Sequence, residues 1–335
     1  MFKFYKMLFL FSLIIGSLIA ISSFSWMGMW LGLEINLLSI IPLMNKSKNM
    51  YSSEAAMKYF ITQAMASTIL LFCLILLSNY LISYISDPLV MILNSSLLLK
   101  MGSAPFHFWF PEVLEGLSWT NCFIMLTWQK LAPMVLLLYN MKFPLLIFII
   151  VILGMLIGGI SGLNQISLRK ILAYSSINHM AWLLASMLYT ETIWFLYFVI
   201  YIIISLNIII IFLNMNIFFM KQSFSSLNKN IWFKLFFIVN FLSLGGLPPF
   251  LGFLPKWLTF YSLMMSESFV LITLMSLLTL ITLFFYIRIC FSLLVININE
   301  INYFKNSDKS NSLIWFTNMI SVLGLIFSTL TFNYM

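Results

Sequence analysis

Charge is scarce in this sequence. Only 8% of its 335 residues are Asp, Glu, Lys or Arg, with 9 acidic side chains against 17 basic ones. Soluble globular chains carry roughly a quarter charged residues, whereas here 62% are hydrophobic and the mean hydropathy is +1.06. A water-soluble enzyme is excluded. Cysteine is nearly absent too: Cys73, Cys122 and Cys290 are far apart, each in an apolar run, so no disulfide framework, zinc site or iron–sulfur ligand set assembles. Two histidines, His107 and His179, suffice for at most one bis-histidine haem. Neither a Walker A sequence nor a G-x-G-x-x-G occurs, which removes a nucleotide site. Any redox centre serving this protein is expected in another chain. The formal charge of +8 does not imply nucleic acid, because basic residues of membrane proteins gather in the loops of one face.

What is present is a series of apolar runs. Eleven segments stand out, at 6–23, 26–44, 57–78, 88–116, 119–140, 144–164, 168–187, 191–218, 234–264, 267–293 and 313–332. Most have the length a helix needs to cross about 30 Å of hydrocarbon, and none alternates with the period of a barrel strand. An all-α polytopic membrane protein of about 11 spans is predicted, with no room for a soluble domain. Lys3 and Lys6 before the run Met7–Ile21 also fit a secretory signal, but a first span accounts better for the loops. With the amino terminus inside, thirteen basic residues fall on the inner side and only Lys142 on the outer, as the positive-inside rule requires.

The fourth and ninth segments are too long and contain prolines, which remove a backbone donor and interrupt the helical ladder. Both read as broken helices, 88–116 and 234–264. One contains Gly102-Ser-Ala-Pro105-Phe106-His-Phe-Trp-Phe-Pro111 and the other Gly246-Leu-Pro-Pro249-Phe250-Leu-Gly-Phe-Leu-Pro255. At an offset of 144, four of ten positions match. Five spans apart, the two must cross in opposite senses, the mark of an inverted repeat that places unwound helices at mid-membrane ion sites. The predicted organisation is one membrane domain, 1–335, with pseudo-repeats 6–140 and 144–293 and a terminal helix 313–332.

Four ionisable residues fall inside spans: Glu34, Lys100, Lys130 and Lys256. A charge at the bilayer centre costs about 2.5–3.5 kcal/mol even on a lenient scale, which points to function rather than accident. Lysine, whose proton affinity shifts readily on burial, suits a relay that must bind and release a proton. Lys256, nearest a span end, fits a static or snorkelling role best of the four. Pro133 frees the carbonyl of Gln129 and so predicts a hydrated break beside Lys130. His179, in the polar patch Ser175-Ser176-Ile-Asn178-His179, is either a packing histidine or a relay member. His107 is expected to cap carbonyls freed at the first break, and Glu112 and Glu115 to be solvated.

The stretches Trp30-Leu-Gly-Leu-Glu34-Ile-Asn36, Leu99-Lys100-Met-Gly-Ser-Ala-Pro105-Phe-His107-Phe-Trp109-Phe-Pro111-Glu112, Trp128-Gln-Lys130-Leu-Ala-Pro133, Ser175-Ser176-Ile-Asn178-His179 and Gly245-Gly-Leu-Pro-Pro249-Phe-Leu-Gly-Phe-Leu-Pro255-Lys256-Trp257 resemble the NADH dehydrogenase subunit 2 family. These are antiporter-like membrane subunits of respiratory complex I, the proton-translocating NADH:ubiquinone reductase. The resemblance runs the length of the chain; eleven spans is similar to the shortened animal mitochondrial form. It implies a proton-pumping module of the mitochondrial inner membrane, with the amino terminus in the matrix and the carboxyl terminus in the intermembrane space. It further implies that Glu34 and Lys100 pair beside the first break, that Lys130 lies on the central relay, and that Lys256 leads to the exit half. NADH, FMN, iron–sulfur clusters and ubiquinone would belong to other subunits. Subunits 4 and 4L, and phospholipids, would be the neighbours. A self-sufficient cation/proton antiporter is the alternative.

Overall fold

The computed structural model describes residues 4–45, 49–78, 86–227 and 231–295, with 315, 317–319 and 324. Among the described residues the regular elements are helices, fourteen of them, accompanied by an isolated antiparallel bridge between Ser167 and Phe219. The chain forms two compact units, Met1–Ile150 and Val151–Met335.

The first unit holds α1 (Phe4–Ser22), α2 (Trp26–Met44), α3 (Met50–Ser78), α4 (Ser86–Met101), α5 (Trp109–Gly116), α6 (Trp119–Leu126), α7 (Trp128–Leu138) and the start of α8 (Pro144–Leu163). In α1 the usual order of a soluble helix is reversed. Its small residues Gly16, Ser17 and Ala20 are buried, while Leu8, Phe11, Ile15 and Leu18 are exposed. In lipid, large apolar side chains gain little by facing inward, and helices associate where small residues let backbones approach. A Cβ on Gly32 would lie 2.5 Å from the nitrogen of Ala20, and one on Gly16 3.0 Å from that of Asn36, so α1 and α2 meet backbone to backbone.

The second unit continues through α8 and adds α9 (Leu168–Met187), α10 (Glu191–Met215), α11 (Met220–Leu227), α12 (Ile231–Gly245), α13 (Phe253–Met265) and α14 (Phe269–Val295). Helix α9 is buried along nearly its whole length, the polar patch 175–179 included. Gly154 and Gly158 of α8 bring that helix onto Ala181 and Asn178. Asn216 ends α10 in the left-handed region, a conformation asparagine tolerates.

Among the described residues seven helical stretches are long and apolar enough to cross a membrane, α6 and α7 counted together as one, and they correspond to the expected segments 6–23, 26–44, 57–78, 119–140, 144–164, 191–218 and 267–293. The count of about eleven rests further on α9, on the two broken helices, and on 313–332, most of which lies outside the described residues. Three details correct the sequence reading. Helix α3 begins at Met50 rather than 57, because the polar stretch through Glu54 and Lys58 lowers hydropathy without opposing a helix. Pro111 and Pro255 do not break their helices. Each is the third residue of the new helix, α5 or α13, where the lost N–H is one that has no intrahelical partner anyway. Pro133 lies within the unbroken α7; the interruption falls at Thr127, whose hydroxyl donates to the carbonyl of Phe123 at 2.7 Å.

Candidate functional site

A helix that stops inside a membrane strands carbonyls that no solvent can satisfy. The chain solves this twice by one device. At the end of α4, Gly102 takes φ +70, its N–H donates to Leu99 O at 3.1 Å, and Ser103 N–H donates to Leu98 O at 3.2 Å. At the end of α12, Gly246 takes φ +80, its N–H donates to Ser243 O at 3.0 Å, and Leu247 N–H donates to Leu242 O at 3.4 Å. Each is a paired C-terminal cap that needs glycine in the left-handed conformation. Every residue of one cap lies 144 positions from its counterpart in the other, the offset of the sequence match.

The side chains that add donors to the carbonyls around each break differ. At the first break Trp109 Nε1 donates to Leu99 O and Gln63 Nε2 to Lys100 O, each at 3.2 Å. His107 places Nδ1 3.2 Å from Pro105 O, the carbonyl-capping role expected of it. At the second break a charged group does this work: Lys256 Nζ donates to Gly245 O at 2.8 Å and to Leu244 O at 3.2 Å. Its stem lies across Gly246, where a Cβ would come within 2.7 Å of Lys256 Cδ. The ammonium also sits 5.8 Å from the ring centroid of Trp182.

Lys100 and Lys130 both adjoin the first break. Lys100 closes the last turn of α4, where a cation meets the negative end of the helix dipole, and is 6% exposed. Lys130 is 2% exposed, with Nζ 4.7 Å from the centroid of Phe110, the ring against which Gly102 packs. Glu34 lies on α2, and among the described residues no ion pair closes between it and Lys100. Its Oε1 is buried and accepts no hydrogen bond among the described residues. The helices bearing Glu34 and Lys130 are joined instead by neutral groups: Gln129 Nε2 donates to Asn36 Oδ1 at 2.7 Å, and Tyr59 OH donates to Gln129 Oε1 at 3.2 Å.

In the second unit His179 is 4% exposed, with Nδ1 2.9 Å from Tyr197 OH and Tyr201 beside it at 5.3 Å between ring centroids. Glu112 lies at the exposed edge, where Lys58 reaches both Glu112 at 2.8 Å and Glu54 at 3.0 Å. Among the described residues no group of three or more His, Cys, Asp or Glu could hold a metal.

Sequence reasoning gave no role to the side chains of Tyr59, Gln63, Trp109, Gln129 or Tyr197. The glutamines offered a signal, being amides inside apolar spans. Tyr197 offered none, since tyrosine is common in apolar helices.

This arrangement can be placed among known proteins. The family described as "NADH:quinone oxidoreductase/Mrp antiporter, TM" matches residues 23–282. The chain is 48% identical to NADH-ubiquinone oxidoreductase chain 2 of Anopheles gambiae, over 98% of each chain. The chain belongs to the NADH-ubiquinone oxidoreductase chain 2 family. Chain 2 of Locusta migratoria is 45% identical over 96% of this chain and 95% of its own, and that of Equus asinus 38% identical over 84% of each. The fold is shared with a chain of respiratory complex I from Thermus thermophilus, at a TM-score of 0.85 and 22% identity over 97% of this chain and 78% of that one. A chain of the Mrp complex from Dietzia gives 0.75 and 16% identity, over 89% of this chain and 62% of that one. Both breaks, with Lys100, Lys130, His179 and Lys256, lie inside the stretch the family model matches.

Proposed function

We propose that the chain translocates protons as a membrane subunit of respiratory complex I in the mitochondrial inner membrane, coupled to electron transfer from NADH to ubiquinone. One observation carries this reading in a chain of this family: lysines buried among apolar helices beside two matching helix breaks. Glu34, Lys100, Lys130 and Lys256, with His179, are the proposed relay, and changes of ion pairing with intervening water move the proton along it. Gln129 and Asn36 support the step between α2 and α7, since amides that already bridge the two helices hold their spacing while charge moves past.

NADH, FMN, iron–sulfur clusters and ubiquinone are assigned to other subunits. Subunits 4 and 4L and phospholipids are the proposed neighbours. The pseudo-repeats 6–140 and 144–293, with helix 313–332, form the proposed single membrane domain. The amino terminus and the segments 45–56, 219–233 and 294–312 face the matrix; 79–87, 188–190 and the carboxyl terminus face the intermembrane space.

The test is proton uptake per NADH oxidised by complex I vesicles carrying Lys130→Met. Lowered pumping with intact assembly supports the reading, and unaltered pumping overturns it. The antiporter alternative predicts that the purified chain alone collapses a pH gradient in liposomes.

A further inference from the structure

The second unit contains a buried group whose role the capping pattern leaves unexplained. His179 and Tyr197 come from successive helices, α9 and α10, and meet at 2.9 Å with both side chains nearly fully buried. Beside them is a cavity of about 10 Å³, the space of a single water, lined by His179, Tyr197, Tyr201, Leu244, Gly252 and Pro255. Three of its eight lining residues, Leu244, Gly252 and Pro255, belong to the second break, and Leu244 is a residue whose carbonyl holds Lys256.

The titratable groups packed around α9 here are Tyr197 and Tyr201 of α10, Tyr286 of α14 and Lys256 of α13, which lies against Trp182; α8 brings glycines. Among the described residues none of these groups is a carboxylate. The group that orients the imidazole is therefore a phenol, which both donates and accepts. Donating to Nδ1, it holds the neutral ring with its proton on Nε2. If Nδ1 gains a proton, the same oxygen accepts it without the ring turning.

We infer that Tyr197 is a positioning residue: its hydroxyl keeps the edge of His179 against a one-water cavity at the second break in either protonation state. The inference rests on the proton-translocation reading and gives that reading a residue no charge pattern reveals.

The experiment uses assembled complex I in vesicles, with Tyr197→Phe, His179→Gln and the double variant. Tyr197→Phe keeps the ring and loses the hydroxyl. It is expected to lower coupled pumping about tenfold, the factor carried by one hydrogen bond to a group that becomes charged. The double variant is expected to pump no worse than His179→Gln alone. Infrared difference spectra, unaltered complex minus His179→Gln, should show an Nε2–H imidazole that Tyr197→Phe shifts or splits. Unaltered pumping by Tyr197→Phe, losses that multiply in the double variant, or an Nδ1–H ring in the unaltered complex would each overturn the inference. The infrared comparison decides the matter if Tyr197→Phe does not assemble. If Lys130→Met also pumps normally, the translocation reading itself fails; if Lys130→Met is impaired while Tyr197→Phe is not, only the positioning role falls.

Discussion

The two helix breaks begin alike and end differently. Both close with a left-handed glycine and the same pair of backbone bonds. The first then adds an indole, an amide and a hydroxyl as donors to the carbonyls of its last turn, all neutral: Trp109 to Leu99 O, Gln63 to Lys100 O and Ser103 Oγ to Leu98 O. The second spends a lysine on them. A lysine held by two carbonyls is part of the helix end, and moving its charge disturbs the backbone cap. At the first break the cap is made without the side chain of Lys100, so replacing that lysine leaves the turn's donors in place. The two breaks thus share a backbone device and differ in the chemistry that completes it.

Crowding at the second break gives the largest expected effect. A Cβ on Gly252 would fall 1.8 Å from Ser243 O, so Gly252→Ala should cost roughly 3 kcal/mol or more, read as lost assembly or an earlier melting transition of the complex. The comparison itself is tested by Lys256→Met against Lys100→Met. The first leaves two buried carbonyls without their donor and should destabilise by about 2–4 kcal/mol, the second by less than about 1 kcal/mol. Equal losses in thermal stability would show that the lysines are structurally equivalent after all.

Activity should divide the other way. Lys130→Arg keeps the charge beside Phe110 but holds its proton too tightly to release, and coupled quinone turnover should fall about tenfold with assembly intact. Full pumping by that variant would reduce Lys130 to a fixed positive charge. Trp109→Phe removes one neutral donor from Leu99 O and should cost about 1 kcal/mol in the melting of the complex. At the exposed edge Lys58→Met, which dissolves the pairs with Glu54 and Glu112, should leave melting and pumping unchanged.

The sequence made both breaks legible because glycine and proline act locally, through allowed φ and a missing donor. It made the buried charges legible because so few exist. It misled at Pro133, through which α7 runs on, while the helix is interrupted at Thr127, a residue with no glycine or proline to mark it. It also hid who caps which carbonyl. Gln63 lies 37 residues from Lys100, and such a partnership exists only once α3 and α4 lie side by side. That Lys256 serves as a cap could not be read from an offset that pairs it with Glu112.

The meeting of α1 and α2 has a consequence for how freely the chain can vary. Where two backbones touch across Gly16, Ala20 and Gly32, any added methyl must push a whole helix aside. On the far side of α1, Leu8, Phe11, Ile15 and Leu18 face a fluid that reshapes itself around whatever is offered. Random exchange among Leu, Ile, Met and Phe should therefore accumulate on the outer stripe and stop at the inner one. A saturation library over residues 8–20 would draw that line, with enrichment scores falling to near zero at 16 and 20 and staying flat at 8, 11, 15 and 18.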